Sequence, residues 1–155
     1  MTLSIDSLAD LSLDIRKEIE IDSPIDVAFQ ALLDQLGTET IREPNDPMQM
    51  VLEPWPGGRW YRDLGNRTGH LWAHVQVFKP PTLLELTGPL FMSYPVISHV
   101  QYRLTPRGEG VLLTLRHRAF GIVEPEHREG VRQGWAHQLE QVRGRAMVRR
   151  QTERE

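Results

Sequence analysis

The segment that most constrains the fold spans residues 125–149. Its apolar side chains, Val131, Trp135, Leu139, Val142 and Ala146, recur at steps of four, four, three and four. On a 3.6-residue helix these positions form one stripe. The opposite side carries Arg128, Arg132, Gln133, Glu140, Gln141 and Arg145 and is assigned to water. At ~1.5 Å per residue the helix is roughly 36 Å long. It cannot bury its stripe against itself, so it needs a broad partner surface, and the rest of the chain reads as strands.

From Leu11 the pattern alternates, with Leu13, Ile15, Ile19 and Ile21 on one face and Asp14, Arg16, Glu18 and Glu20 on the other, and Lys17 out of step. That is a half-buried strand. Ser23-Pro24 then starts a helix, with Ser23 as cap, Pro24 at the first helical position and Asp26 in the first turn. Val27, Phe29, Leu32, Leu33 and Leu36 form its apolar face, and Gly37 ends it. A connector with Pro44 and Pro47 follows, with room for one loose turn of helix before it. The punctuation beyond it predicts strands over 48–53, 59–64, 70–78, 83–87, 97–104 and 111–118, separated by Pro- and Gly-rich turns. The order strand, helix, six strands, helix gives an antiparallel sheet with segregated helices, class α+β. Residues 1–155 are read as one domain with its core fold over 11–147. Residues 1–10 are a weakly patterned lead-in with no assigned structure.

The formal charge of −3 offers no field for nucleic acid. Arg143, Arg145, Arg149, Arg150 and Arg154 form the one basic cluster, read as a frayed, solvated helix end. There is no cysteine, which removes disulfides, thiolate metal sites and a cysteine nucleophile. No apolar run approaches the ~20 residues of a membrane span, and the N-terminus lacks a signal-peptide pattern. A cytoplasmic location is the default expectation.

Three stretches resemble one family. Glu53-Pro54-Trp55-Pro56-Gly57-Gly58-Arg59-Trp60 resembles the Pro-x-Pro-Gly-Gly-x-aromatic turn of the family of the activator of heat-shock protein 90 ATPase. Residues 77–84, with Pro80-Pro81 at their centre, are similar to its strand–Pro-Pro–strand junction. Gly134-Trp135, followed by Leu139 and Val142, resembles the Gly-Trp and leucine signature of its last helix. The resemblance covers roughly residues 12–147. It implies membership of the START-like, or SRPBCC, superfamily and a helix-grip fold, in which a seven-stranded antiparallel sheet wraps a long C-terminal helix around a cavity. Members bind lipids, sterols, polyketides and plant hormones, and some are cyclases or co-chaperone domains. No universal catalytic motif exists to transfer. This sequence lacks the separate N-terminal domain of the eukaryotic activators, which sets chaperone stimulation behind ligand binding as an expectation.

The six histidines raise a metal site and then argue against it. His70 and His74 share one strand face but stand roughly 13 Å apart, too far for two zinc ligands at ~2.0–2.1 Å each. His127 and His137 are ten residues apart, and His99 is expected to face solvent. No metal and no cofactor is expected. His117 continues the inward set Val111, Leu113 and Leu115. It is either a polar anchor or general acid/base at the cavity mouth, or a buried histidine that closes the core.

Trp60, Phe91, Met92, Tyr94, Tyr102, His117 and Trp135 are the candidate cavity residues, an aromatic wall with polar handles. Residues 91–94 lie on a connection, where large apolar side chains have fewer packing reasons. On the strand 70–78, Leu71, Ala73, Val75 and Val77 are the better core candidates. The mixed face would then be exposed and Trp72 would contact a partner, although periodicity alone does not choose. The leading expectation is non-catalytic binding of a small hydrophobic molecule. A cyclase or hydrolase using His117 with Tyr94 or Tyr102, and a protein-interaction module contacting a chaperone, are the alternatives. A homodimer through Trp72 or the N-terminal segment is a further expectation.

Overall fold

The computed structural model describes residues 7–37 and 50–154. A 3-10 turn, Leu8–Leu11, gives structure to the end of the lead-in. It leads into β1 (Ser12–Ile21) and then α1 (Ile25–Leu36). The strands β2 (Met50–Leu52), β3 (Arg59–Gly65), β4 (Thr68–Lys79), β5 (Leu83–Gly88), β6 (Val96–Arg107) and β7 (Gly110–Gly121) follow, before α2 (Pro125–Arg154). All seven strands form one antiparallel sheet in the order β1-β7-β6-β5-β4-β3-β2. The connector with Pro44 and Pro47 lies outside the described residues.

The concave face of the sheet holds α2 as the stripe requires. Val131, Trp135, Leu139, Val142 and Ala146 are all buried. They share a core with Ile15, Ile21, Leu113, Leu115 and the apolar face of α1. This is the helix-grip arrangement expected above.

Three local expectations need correction. Ser23 is not the cap of α1: its hydroxyl donates to the Pro24 carbonyl at 3.1 Å, and Pro24 itself takes the cap position with extended ψ. Gly37 does end the helix, at φ 130, a conformation that disfavours a β-carbon. Pro106 lies within β6, opposite Val111. Pairing with β5 stops at Arg103, so a proline there removes no hydrogen bond on that side. Arg149 and Arg150 are not part of a frayed end. Arg149 pairs with the buried Asp34 of α1, and Arg150 pairs with Asp22 and donates to its carbonyl at 2.8 Å. Together they fasten the last turns of α2 to α1 and to the end of β1.

β4 breaks simple alternation twice. Trp60 pairs with Ala73 but Tyr61 with Leu71, which leaves Trp72 as an extra residue. On the other side Val75 pairs with Leu86 and Val77 with Glu85, so Gln76 is a second extra residue. Each such bulge switches which parity of side chain faces inward. Ala73 and Val75 are therefore buried, while Leu71 of the same apparent set is 47% exposed. Phe78 packs on Phe29 at 5.9 Å between ring centroids, and Trp72 turns to the concave side. Gly88 fits against the first bulge, because a β-carbon there would stand 2.3 Å from the Trp72 carbonyl oxygen.

Candidate functional site

A cavity of about 860 Å³ opens between α2, the C-terminal end of α1 and the β2–β4 side of the sheet. On α2 it is lined by His127, Gly130, Gly134, Gln138, Gln141 and Arg145, spaced three or four residues apart and so forming one stripe. This stripe runs alongside the buried one, whose Val131 and Trp135 also line the cavity. Placing Arg145 in bulk water is therefore corrected, since it is half-buried against the cavity, whereas Gln141 lines the cavity rim and stays exposed as expected. Arg128 is also held, donating to the carbonyls of Ala9, Asp10 and Ser12.

The facing wall is aromatic. Trp60 and Trp72 meet edge to face at 5.1 Å, and Trp72 meets Phe91 at 5.7 Å. The Trp60 indole is fixed by donating to the Leu36 carbonyl at 2.9 Å, one of the carbonyls that the end of α1 leaves without a helical partner. Phe91 is presented by Leu90, whose backbone sits at φ 60 and whose N–H donates to the Trp72 carbonyl at 2.8 Å. That left-handed conformation costs a residue with a β-carbon roughly 1–2 kcal/mol. The 3% exposure of the Leu90 side chain offsets it through burial.

Of the seven candidate residues, Trp60, Phe91 and Trp135 line the cavity, and Trp72 joins them through its bulge. Met92, Tyr102 and His117 lie behind this surface, buried in the core. Tyr94 is set beside the cavity, its hydroxyl 3.0 Å from His127 Nδ1 and its ring stacked on that imidazole. The carboxylate of Glu124 stands 3.5 Å from the other nitrogen of His127. Among the lining residues not anticipated, His127, Gly130, Gly134 and Gln138 had one sequence signal. Two glycines a helical turn apart flank the apolar stripe.

His117 is held on both sides. The Trp135 indole donates to Nδ1 at 2.9 Å, and Ser98 Oγ lies 2.8 Å from Nε2. An indole N–H can only donate, so Nδ1 accepts and Nε2 carries the proton toward Ser98. Burial pushes the imidazole down to about 4, so it is neutral at physiological pH. Tyr102 is buried behind Trp135 and donates to Gln138 Oε1 at 2.6 Å; burial raises its hydroxyl above the ordinary phenol value. Among the described residues, no group of three or more metal-binding side chains comes together. No helix among them is long and apolar enough to cross a membrane.

Residues 22–145 match the family described as Activator of Hsp90 ATPase homolog 1-like protein. The chain belongs to this family. No significant match occurs among curated proteins. Solved structures repeat the family member's fold. Ara h 8.0201 superposes with a TM-score of 0.69 at 12% identity, over 88% of this chain and 99% of that one. An uncharacterised protein from Rhizobium leguminosarum gives 0.67 at 14% identity, over 88% and 95%. The di-domain ARO/CYC StfQ from the steffimycin biosynthetic pathway gives 0.65 at 16%, over 92% of this chain and 53% of that one. The family member thus spans about half of StfQ.

Proposed function

We propose that this family member binds a small hydrophobic molecule in the cavity beside α2 and carries out no reaction on it. The observation that carries this reading is the pair Gly130 and Gly134. A mid-helix glycine costs about 0.8–1.0 kcal/mol relative to alanine. A β-carbon at either position would meet nothing within 4 Å. Packing therefore does not call for glycine there; the two exposed glycines leave the helix side of the cavity that Trp60, Trp72 and Phe91 also line without side chains. The volume of about 860 Å³ lies within the range of small-molecule sites. His117, the candidate acid or base, is committed to Trp135 and Ser98 behind the cavity surface.

The test is a plug. Gly134→Leu fills the open space and gains helix propensity, so the thermal midpoint is expected to hold or rise. The neutral probe N-phenyl-1-naphthylamine should brighten on the wild type and lose at least about tenfold in affinity on Gly134→Leu, about 1.4 kcal/mol. Equal binding by both proteins, or none by the wild type, counts against the cavity as the site.

A second reading, an enzyme of the cyclase or hydrolase type, is favoured by Glu124, His127 and Tyr94. They form a chain from carboxylate to imidazole to phenol beside the cavity. Burial raises the Tyr94 hydroxyl, which keeps it protonated at neutral pH. Under this reading the wild type converts a bound polyketone and Tyr94→Phe does not. Recovery of the bound compound unchanged from the wild type argues for binding alone.

A further inference from the structure

We infer that the cavity takes an elongated amphipathic carboxylate, with its head at Arg145, Gln138 and Gln141 and its apolar body along the aromatic wall. This rests on the binding reading and specifies its ligand. The guanidinium of Arg145 can only donate. Its Nε donates to Gln35 Oε1 at 2.6 Å, which orients the Gln35 amide and turns Nε2 toward Gln141. Gln35 Nε2 then donates to Gln141 Oε1 at 2.9 Å, and Tyr102 donates to Gln138 Oε1 at 2.6 Å. Each of the three amide oxygens thus accepts one side-chain hydrogen bond. What remains without a partner among the described residues is the amide nitrogens of Gln138 and Gln141 and the terminal nitrogens of Arg145.

Residues 138, 141 and 145 lie three and four apart, so these donors are neighbours on the cavity stripe. A site with spare donors and one positive charge complements an acceptor-rich monoanion, and a guanidinium fork matches a carboxylate. Arg145 also differs from its neighbours on α2. Arg143 pairs with Glu140, Arg149 with Asp34 and Arg150 with Asp22, whereas Arg145 has no acidic partner among the described residues. The other end of the stripe carries Glu126 and His127. Glu126 repels an anion, which sets the orientation of the guest. From His127 to Arg145 the stripe runs roughly 27 Å along the helix, favouring an extended molecule over a compact one.

The test is displacement of N-phenyl-1-naphthylamine by palmitate and by 1-hexadecanol, which share a chain and differ in the head. Charge-assisted hydrogen bonds predict that palmitate binds the wild type roughly 10- to 100-fold more tightly than the alcohol. Arg145→Gln should erase that preference. Gln141→Glu, which exchanges an amide donor for a carboxylate, should erase it independently of any effect of the first variant on folding. Equal affinity for acid and alcohol in the wild type, or a preference that survives both substitutions, overturns the head-group assignment. With probe binding and its sensitivity to Gly134→Leu intact, such a result leaves the cavity reading standing. Absence of probe binding from the wild type removes both.

Discussion

Replacing Trp135 with alanine is expected to remove about 3–5 kcal/mol of folding free energy. That is a large share of the ~5–15 kcal/mol that holds a domain together. Trp135 is only 5% exposed and stands edge-on to both His117 and Tyr102. The alanine variant loses the ring, leaves a void in the sheet-facing stripe of α2 and strands His117 Nδ1 without its donor. Phenylalanine separates these effects. It keeps most of the apolar volume and loses the N–H, so its cost should be only the unpaired buried acceptor, about 1–3 kcal/mol. Urea unfolding followed by far-UV circular dichroism reads both, since tryptophan emission changes with the substitution itself. A loss below about 1 kcal/mol for Trp135→Ala would place the site among ordinary surface positions and deny the helix its grip.

Acid should weaken the fold through His117. The folded imidazole is pushed down to about 4 from the ordinary 6.5, by burial. Between those values the unfolded chain binds a proton that the folded chain does not. The stability contributed is therefore complete above about pH 6.5 and falls as the pH drops to about 4. Below that both states are protonated and no more is lost. At 1.36 kcal/mol per unit, the loss attributable to this one group is about 3 kcal/mol. Urea midpoints measured from pH 7 to 4 should fall accordingly. His117→Gln should start lower at pH 7 but lack this part of the slope. Histidine proton resonances titrating near 6.5 for His117 in the folded protein would contradict the buried, neutral assignment.

The particular residues show what a linear sequence carries. The α2 stripe was legible because five apolar side chains at helical spacing admit one burial direction. The strand run was legible from its Pro and Gly punctuation, although β4, β6 and β7 each extend beyond the predicted limits. The inward turn of Trp72 was not. Its direction is set by the register β4 takes with β3 and β5, and a bulge has no signature within the strand that holds it. Gln138, Gln141 and Arg145 were hidden for a different reason. A polar residue beside an apolar stripe looks the same whether it meets water or the rim of a cavity. His117 could be placed on the inward face, but not its bond to Trp135, because two elements must first be docked before that pair exists.

Under the binding proposal, the space between α2 and the aromatic wall holds an apolar guest. Native mass spectrometry of the wild type and Gly134→Leu, each incubated with a mixture of fatty acids and neutral lipids, tests it most directly. The expected result is a one-to-one adduct on the wild type that dissociates on activation, and its loss from the leucine variant at undiminished thermal stability. Adducts of equal abundance on both proteins, or bare protein in both spectra, would contradict it.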